Sequence, residues 1–214
     1  MSDERISPAE AWSRMVKGNQ RFIHGTPQHP RQDVERRTEI ALAQYPEAAL
    51  FGCADSRLSA EIIFDKGLGD LFVVRNAGQI ISNSVIGSLE YAVEMLKVSL
   101  ILVLSHDSCG AVQAAIEQDS PEVMPLPHHI HDITASIAPA VTRVRLAHGL
   151  APGDPLDENE VGQEHLRDTV SALLSSSELI GEAIAEGKLA LVGANYRLAE
   201  GLVTPHVVIG SLER

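Results

Sequence analysis

Short, nearly unbroken apolar runs recur at residues 48–52, 71–74, 100–104 and 189–194. At four to six residues each, bounded by polar and glycine-containing segments, they read as buried strands. The stretches between them carry apolar residues at helical spacing, most clearly Val85, Leu89, Ala92, Val93 and Leu96 within 84–96. Strands alternating with helices imply an α/β fold on a mostly parallel sheet with right-handed crossovers. Residues 203–209 alternate less cleanly and read as a final edge strand.

Ahead of the first strand, Ser7-Pro8-Ala9-Glu10 reads as a helix start, with serine at the cap, proline in the first turn and Glu10 three residues after Ser7. This helix carries Trp12, Met15, Val16, Phe22 and Ile23, a stripe that must be buried in the chain's own core or against a second subunit. Gly25-Thr26-Pro27-Gln28-His29-Pro30 breaks it, and 31–44 reads as a charge-rich second helix closed by Tyr45-Pro46. Residues 59–64 read as a short helix, 109–116 as the start of another, and 117–127 as an acidic loop. An amphipathic helix is expected over 130–146, and one long helix over 161–186, ended by Gly187. With 214 residues, no repeat and no linker, one domain is expected: a helical arm over 1–46 and an α/β core over 47–214.

The reactive residues follow two of the strands. Phe51-Gly52-Cys53-Ala54-Asp55-Ser56-Arg57 ends the first, and Ser105-His106-Asp107-Ser108-Cys109-Gly110 ends the third. Cys53 and Cys109 are the chain's only cysteines. A lone cysteine is ordinarily a small core hydrophobe and a lone histidine a satisfied polar group. A disulfide is a further alternative, disfavoured in a reducing compartment. Here both thiols and the imidazole come from the carboxyl ends of strands, where open parallel sheets bind ligands. If strand two flanks strand one on one side and strand three on the other, the crevice between one and three receives all three groups. Two sulfurs and a ring nitrogen suit zinc, and three protein ligands leave the open fourth position of a catalytic site.

Cys-Ala-Asp-Ser-Arg at 53–57, followed about fifty residues later by His-x-x-Cys-Gly, resembles the β-class carbonic anhydrases. The likeness continues through Gly69-Asp70-Leu71-Phe72-Val73-Val74-Arg75-Asn76-Ala77-Gly78 and Ser88-Leu89-Glu90-Tyr91-Ala92-Val93, and is clearest over 44–115. It implies strand order 2-1-3-4 with an antiparallel fifth strand, and N-terminal helices packed on a partner in a homodimer or dimer of dimers. It also implies one zinc ion per subunit on Cys53, His106 and Cys109, and reversible hydration of carbon dioxide to bicarbonate and a proton. Gln44, nine residues before Cys53, matches a glutamine that meets substrate across the dimer interface. Phe72 and Tyr91 match an apolar wall, although core packing would also explain them. Gly110 would start a helix beside the metal, and Gly78 would let backbone approach the pocket.

Asp55 and Arg57 can form a bidentate pair beside the metal. Arg57 would keep Asp55 ionised and turned from zinc, so that Asp55 orients a zinc-bound hydroxide; an ordinary strand-end salt bridge is the alternative. Two thiolates donate electron density and make water on the metal harder to ionise. Ionisation near neutral pH is the known behaviour of the three-histidine carbonic anhydrases. The family usually has glycine where Ser105 stands, so this hydroxyl must either crowd the turn or bond a neighbour. A regulated subtype has tryptophan where this chain has Leu50, so its non-catalytic bicarbonate site is expected to be absent. A closed state with Asp55 as fourth ligand is a further expectation, favoured as pH falls. Hydrolysis of carbonyl sulfide or carbon disulfide on the same scaffold, or a non-catalytic zinc or redox-sensing role, are the competing functions.

The net charge of −12 argues against nucleic acid and anionic membrane surfaces as partners. The polar, acidic start and the absence of a long apolar run make the cytoplasm the expected location. His128-His129-Ile130-His131 reads as a solvated helix start, with a proton relay as the alternative.

Overall fold

In the computed structural model, which describes residues 6–212, the apolar runs form the strands β1 (Ala48–Cys53), β2 (Leu71–Asn76), β3 (Leu100–His106) and β4 (Ala190–Arg197). A fifth, β5 (Leu202–Ile209), completes one sheet of order β2-β1-β3-β4-β5, parallel except for β4 with β5. This is the expected topology, with the strand order reversing between β1 and β3. Every residue of β1 and β3 is buried, as central strands covered on both faces must be. β2 and β5 form the half-exposed edges.

Side chains alternate between two cores. Leu50, Leu100, Leu102 and Val192 face one side with Met15, Phe64 and Ile137. Phe51, Ile101, Val103 and Leu191 face the other with Leu89, Leu166 and Leu173. Each fully buried side chain of this size contributes about 1.5–3 kcal/mol of transfer free energy. The first core is covered by α1 (Pro8–Ile23), α3 (Ala60–Ile63), α5 (Gly110–Gln118) and α6 (His128–Ala147). The second lies under α4 (Asn83–Glu94), α7 (Glu158–Ser176) and α8 (Glu178–Ala185).

Ser7 caps α1 as expected, its Oγ accepting from the Glu10 amide at 3.1 Å. Ala11 and Met15 of α1 enter this chain's own core. Buried Asn19 ties the helix to distant backbone. Its Nδ2 donates to the carbonyls of Ile63 (3.2 Å) and Gly201 (2.7 Å), and its Oδ1 accepts from the Val203 amide at 3.0 Å.

Two helix expectations need correction. The second helix, α2, spans only Val34–Glu39, not 31–44. His29 and Arg31 have positive φ (48° and 51°), and Asp70 holds Arg31 by two bonds of 2.7 and 2.6 Å, so the chain is not helical before the Asp33 cap. The expected helix over 161–186 is two, α7 and α8, broken at Ser177 (φ −138°, ψ 104°). Ser177 Oγ donates to Glu90 Oε1 of α4 at 2.6 Å and accepts from the Ile180 amide at 3.3 Å, so it leaves one helix to cap the next. Among the described residues, no helix is long and apolar enough to cross a membrane.

Candidate metal centre

The three donors arrive from three chain segments that the sheet fixes. Cys53 is the last residue of β1, His106 the last of β3, and Cys109 the N-cap of α5. Between the last two the chain turns sharply, with Ser108 at φ 49°. Asp107 pins this turn to β4: its amide donates to the Tyr196 carbonyl at 3.2 Å, and its Oδ1 accepts from the Leu198 amide at 2.8 Å. One ligand atom from each of Cys53, His106 and Cys109 lies within 4.8 Å of the others, and all three residues are buried.

Their chemistry fits a thiophilic cation. The carbonyl of Asp107 can only accept, so its 2.8 Å contact places a proton on His106 Nδ1. The lone pair is then on Nε2, which is buried with no hydrogen-bond partner among the described residues. An orphaned buried acceptor is costly unless something binds it. Both cysteines are free thiols. Without a cation, a hydrogen bond from the Cys109 thiol holds Cys53 down to about 4 against the effect of burial, with help from His106 and the Gly78 amide. The same bond and burial push Cys109 up. Burial disfavours His106 protonation, but the closeness and negative charge of Cys53 outweigh this and raise it. Negative charge thus accumulates between the sulfurs, where Zn²⁺ would neutralise it.

Asp55 and Arg57 sit beside this cluster. Asp55 Oδ1 accepts from the Arg57 amide (2.8 Å) and Nε (2.9 Å), and Oδ2 accepts from Nη2 at 2.7 Å. Arg57 Nη2 also donates to the Ser108 carbonyl at 2.9 Å, joining the dyad to the β3–α5 turn. The Arg57 bonds hold the Asp55 carboxyl well below the usual carboxylate range despite some desolvation. Arg75 of β2 donates to the carbonyls of Cys53 (2.9 Å) and Asp55 (2.5 Å), fixing the backbone on either side of Ala54. Arg75 lies inside the quoted motif, but its part here was not foreseen; an arginine directly after the apolar run 71–74 was the only sign.

Ser105 bonds rather than crowds: its Oγ lies 3.2 Å from the Ala194 carbonyl and 3.0 Å from Asn195 Oδ1, both on β4. Phe72 of β2 and Tyr91 of α4 come together with ring centroids 6.1 Å apart. Tyr91 keeps nearly half its surface, so it is not simply a core residue. Gly110 is the exposed first residue of α5. Gln44 is exposed in the segment between α2 and β1.

The family model for carbonic anhydrase matches residues 48–203. Carbonic anhydrase 2 of Mycobacterium tuberculosis is 46% identical over 206 residues, covering 96% of each chain. The carbonic anhydrase of Mycolicibacterium smegmatis is 44% identical, covering 96% of this chain and 97% of its own. Among solved structures, a β-carbonic anhydrase of Coccomyxa in complex with acetazolamide aligns at TM-score 0.70 and 26% identity, over 93% of this chain and 88% of that one. One of two tetrameric β-carbonic anhydrases of Sordaria macrospora shares the fold at TM-score 0.72 and 20% identity, over 94% and 100% of the two chains. The chain belongs to the β-class carbonic anhydrase family. With that family it is a lyase of the kind that interconverts carbon dioxide and bicarbonate.

Proposed function

We propose that this chain binds one zinc ion through Cys53 Sγ, His106 Nε2 and Cys109 Sγ, and that Asp55 and Arg57 act as the catalytic pair in reversible carbon dioxide hydration. The convergence of two free thiols and an orphaned imidazole nitrogen within 4.8 Å carries this reading. When bound, zinc supplies the Lewis acidity that turns water into a nucleophile.

The residues of the chain direct that nucleophile. Asp55 Oδ1 already accepts two donors and Oδ2 accepts one. One lone pair on Oδ2 is therefore left to accept a hydrogen from the attacking oxygen. That contact turns an oxygen lone pair toward the carbon of carbon dioxide. Arg57 keeps Asp55 an acceptor by holding it ionised. Phe72 and Tyr91 offer an apolar surface that suits an uncharged linear substrate, and Gly110 leaves space at the first turn of α5.

The arm extends the proposal to a partner. Helix α2 has no buried residue, and Val34, Leu42 and Tyr45 are exposed around it. A second copy packed on this surface would cover them and bring its Gln44 toward the site, giving a homodimer or a dimer of dimers.

Metal analysis of the purified protein paired with stopped-flow carbon dioxide hydration tests the reading. About one zinc per chain, with hydration abolished by chelation and restored by zinc, is expected. Protein that hydrates carbon dioxide equally well when metal-free, or that releases sulfide from carbonyl sulfide but forms no bicarbonate, would overturn it.

A further inference from the structure

Gly78 lies between β2 and α4 in a tight turn that touches the metal centre. Its amide donates to Cys53 Sγ at 3.4 Å. Its left-handed conformation (φ 71°) suits glycine, and a Cβ there would meet Ala111 Cβ at 3.0 Å and Ile137 Cδ1 at 3.2 Å. The carbonyl of the same residue accepts a 2.7 Å bond from His165 Nε2 on α7. Thr169, one turn further along α7, places its Oγ1 3.4 Å from the Gln79 carbonyl and 2.9 Å from the His165 carbonyl.

His165 is an unusual occupant of its site. It is buried on α7 beside Leu166 and Val170. Its Nδ1 has no hydrogen-bond partner among the described residues. The ring must carry its proton on Nε2 to bond a carbonyl, so Nδ1 is a desolvated lone pair. Burial holds the ring in this neutral form against the pull of the Gly78 carbonyl. An apolar side chain would fill the space without that cost. The one bond that compensates for it is the bond to Gly78.

We infer that His165 is a positioning residue of the metal centre, holding the Gly78 carbonyl so that the Gly78 amide stays aimed at Cys53 Sγ. The inference rests on Cys53 being a zinc ligand. An N–H bond to a thiolate withdraws charge from sulfur. That lowers its readiness to take a proton and leave the metal, and it tempers donation into the metal. Groups that act on a ligand from outside the coordination shell typically change metal affinity about 10–100-fold, and His165 acts one bond further out.

The test uses the zinc-loaded and cobalt-substituted enzyme in three variants. His165→Gln can place an amide N–H near the position of Nε2; His165→Asn is too short to do so; His165→Leu has no donor. His165→Asn and His165→Leu are expected to lose zinc to a chelator about 10-fold faster than wild type. Their cobalt forms should show the sulfur-to-metal charge-transfer band at longer wavelength, with His165→Gln close to wild type in both. If His165→Leu fails to fold, the glutamine and asparagine variants still differ only in reach. Equal zinc release and equal cobalt spectra for those two, even with lowered melting temperatures, would reduce His165 to a packing residue and overturn the inference. Wild-type protein that binds no zinc would overturn the reading of the centre as well, whereas normal zinc retention by His165→Leu sinks this inference alone.

Discussion

Cys53, His106 and Cys109 form one group whose ligand atoms lie within 4.8 Å of one another; His128, His129 and Asp132 form a second that meets the same distance. The first group is buried and comes from two strand ends and a helix cap, each fixed by sheet pairing or backbone bonds. The second comes from a single turn at the start of α6, with side chains 80%, 94% and 56% exposed. Its histidines stand 3.8 and 3.9 Å from Asp132, too far for a hydrogen bond. Drawing them onto a cation would mean freezing three solvated side chains. In the first group that ordering was completed when the protein folded. Closeness of donors alone does not make a site; rigidity and desolvation do.

That contrast can be broken most sharply at the buried group. Cys53→Ser or His106→Ala should reduce zinc from about one per chain to near none and abolish hydration, read by elemental analysis and stopped flow. Full metal content in either variant would mean that the cation sits elsewhere. Next in size, Asp55→Asn should lower kcat/KM by about 10²–10³-fold while zinc content stays unchanged, because asparagine leaves the ligands intact but cannot act as an ionised acceptor held by Arg57.

Asp65 and Asp132 carry the same contrast into stability. Buried Asp65 accepts from Arg21 Nε at 2.5 Å and from the amides of Gln28 and His29 at 2.9–3.1 Å. Burial pushes its carboxyl up, but these donors outweigh it and the net shift is downward from 3.8. A lowered folded value means stability that is present above the unfolded value and lost as pH falls through the folded one. Asp65→Asn should therefore cost about 3 kcal/mol at neutral pH and less as acid is added, in denaturant melts repeated between about pH 6 and 3. Asp132→Asn, at an exposed surface position, should change stability at neutral pH by less than about 0.5 kcal/mol. The smallest effect is expected from replacing His128, His129 and Asp132 together with alanine: under about 0.5 kcal/mol, with unchanged tightly bound metal. A second metal equivalent lost in that variant would erase the distinction between the groups.

Much of this was legible in the sequence. The runs that became β1 to β4 stood out because strands buried on both faces must be apolar along their length, and their ends located Cys53 and His106. The sheet order and the pairing of Asp55 with Arg57 also match expectation. What stayed hidden depends on partners distant in sequence. Ser177 breaks a helical pattern because Glu90, 87 residues earlier, accepts its hydroxyl. Helix α2 starts only at Val34, because Asp70 captures Arg31 from 39 residues away. Arg75 and His165 act through main-chain carbonyls, and a carbonyl has no residue type for a motif to display.

Asn19 has a consequence for how the protein is made. Its partners Gly201 and Val203 lie 182 and 184 residues downstream, so α1 cannot complete its contacts until the β4–β5 hairpin has been synthesised. Until then its apolar stripe must be shielded by transient partners or left facing water, and formation of the β4–β5 hairpin completes the packing of α1.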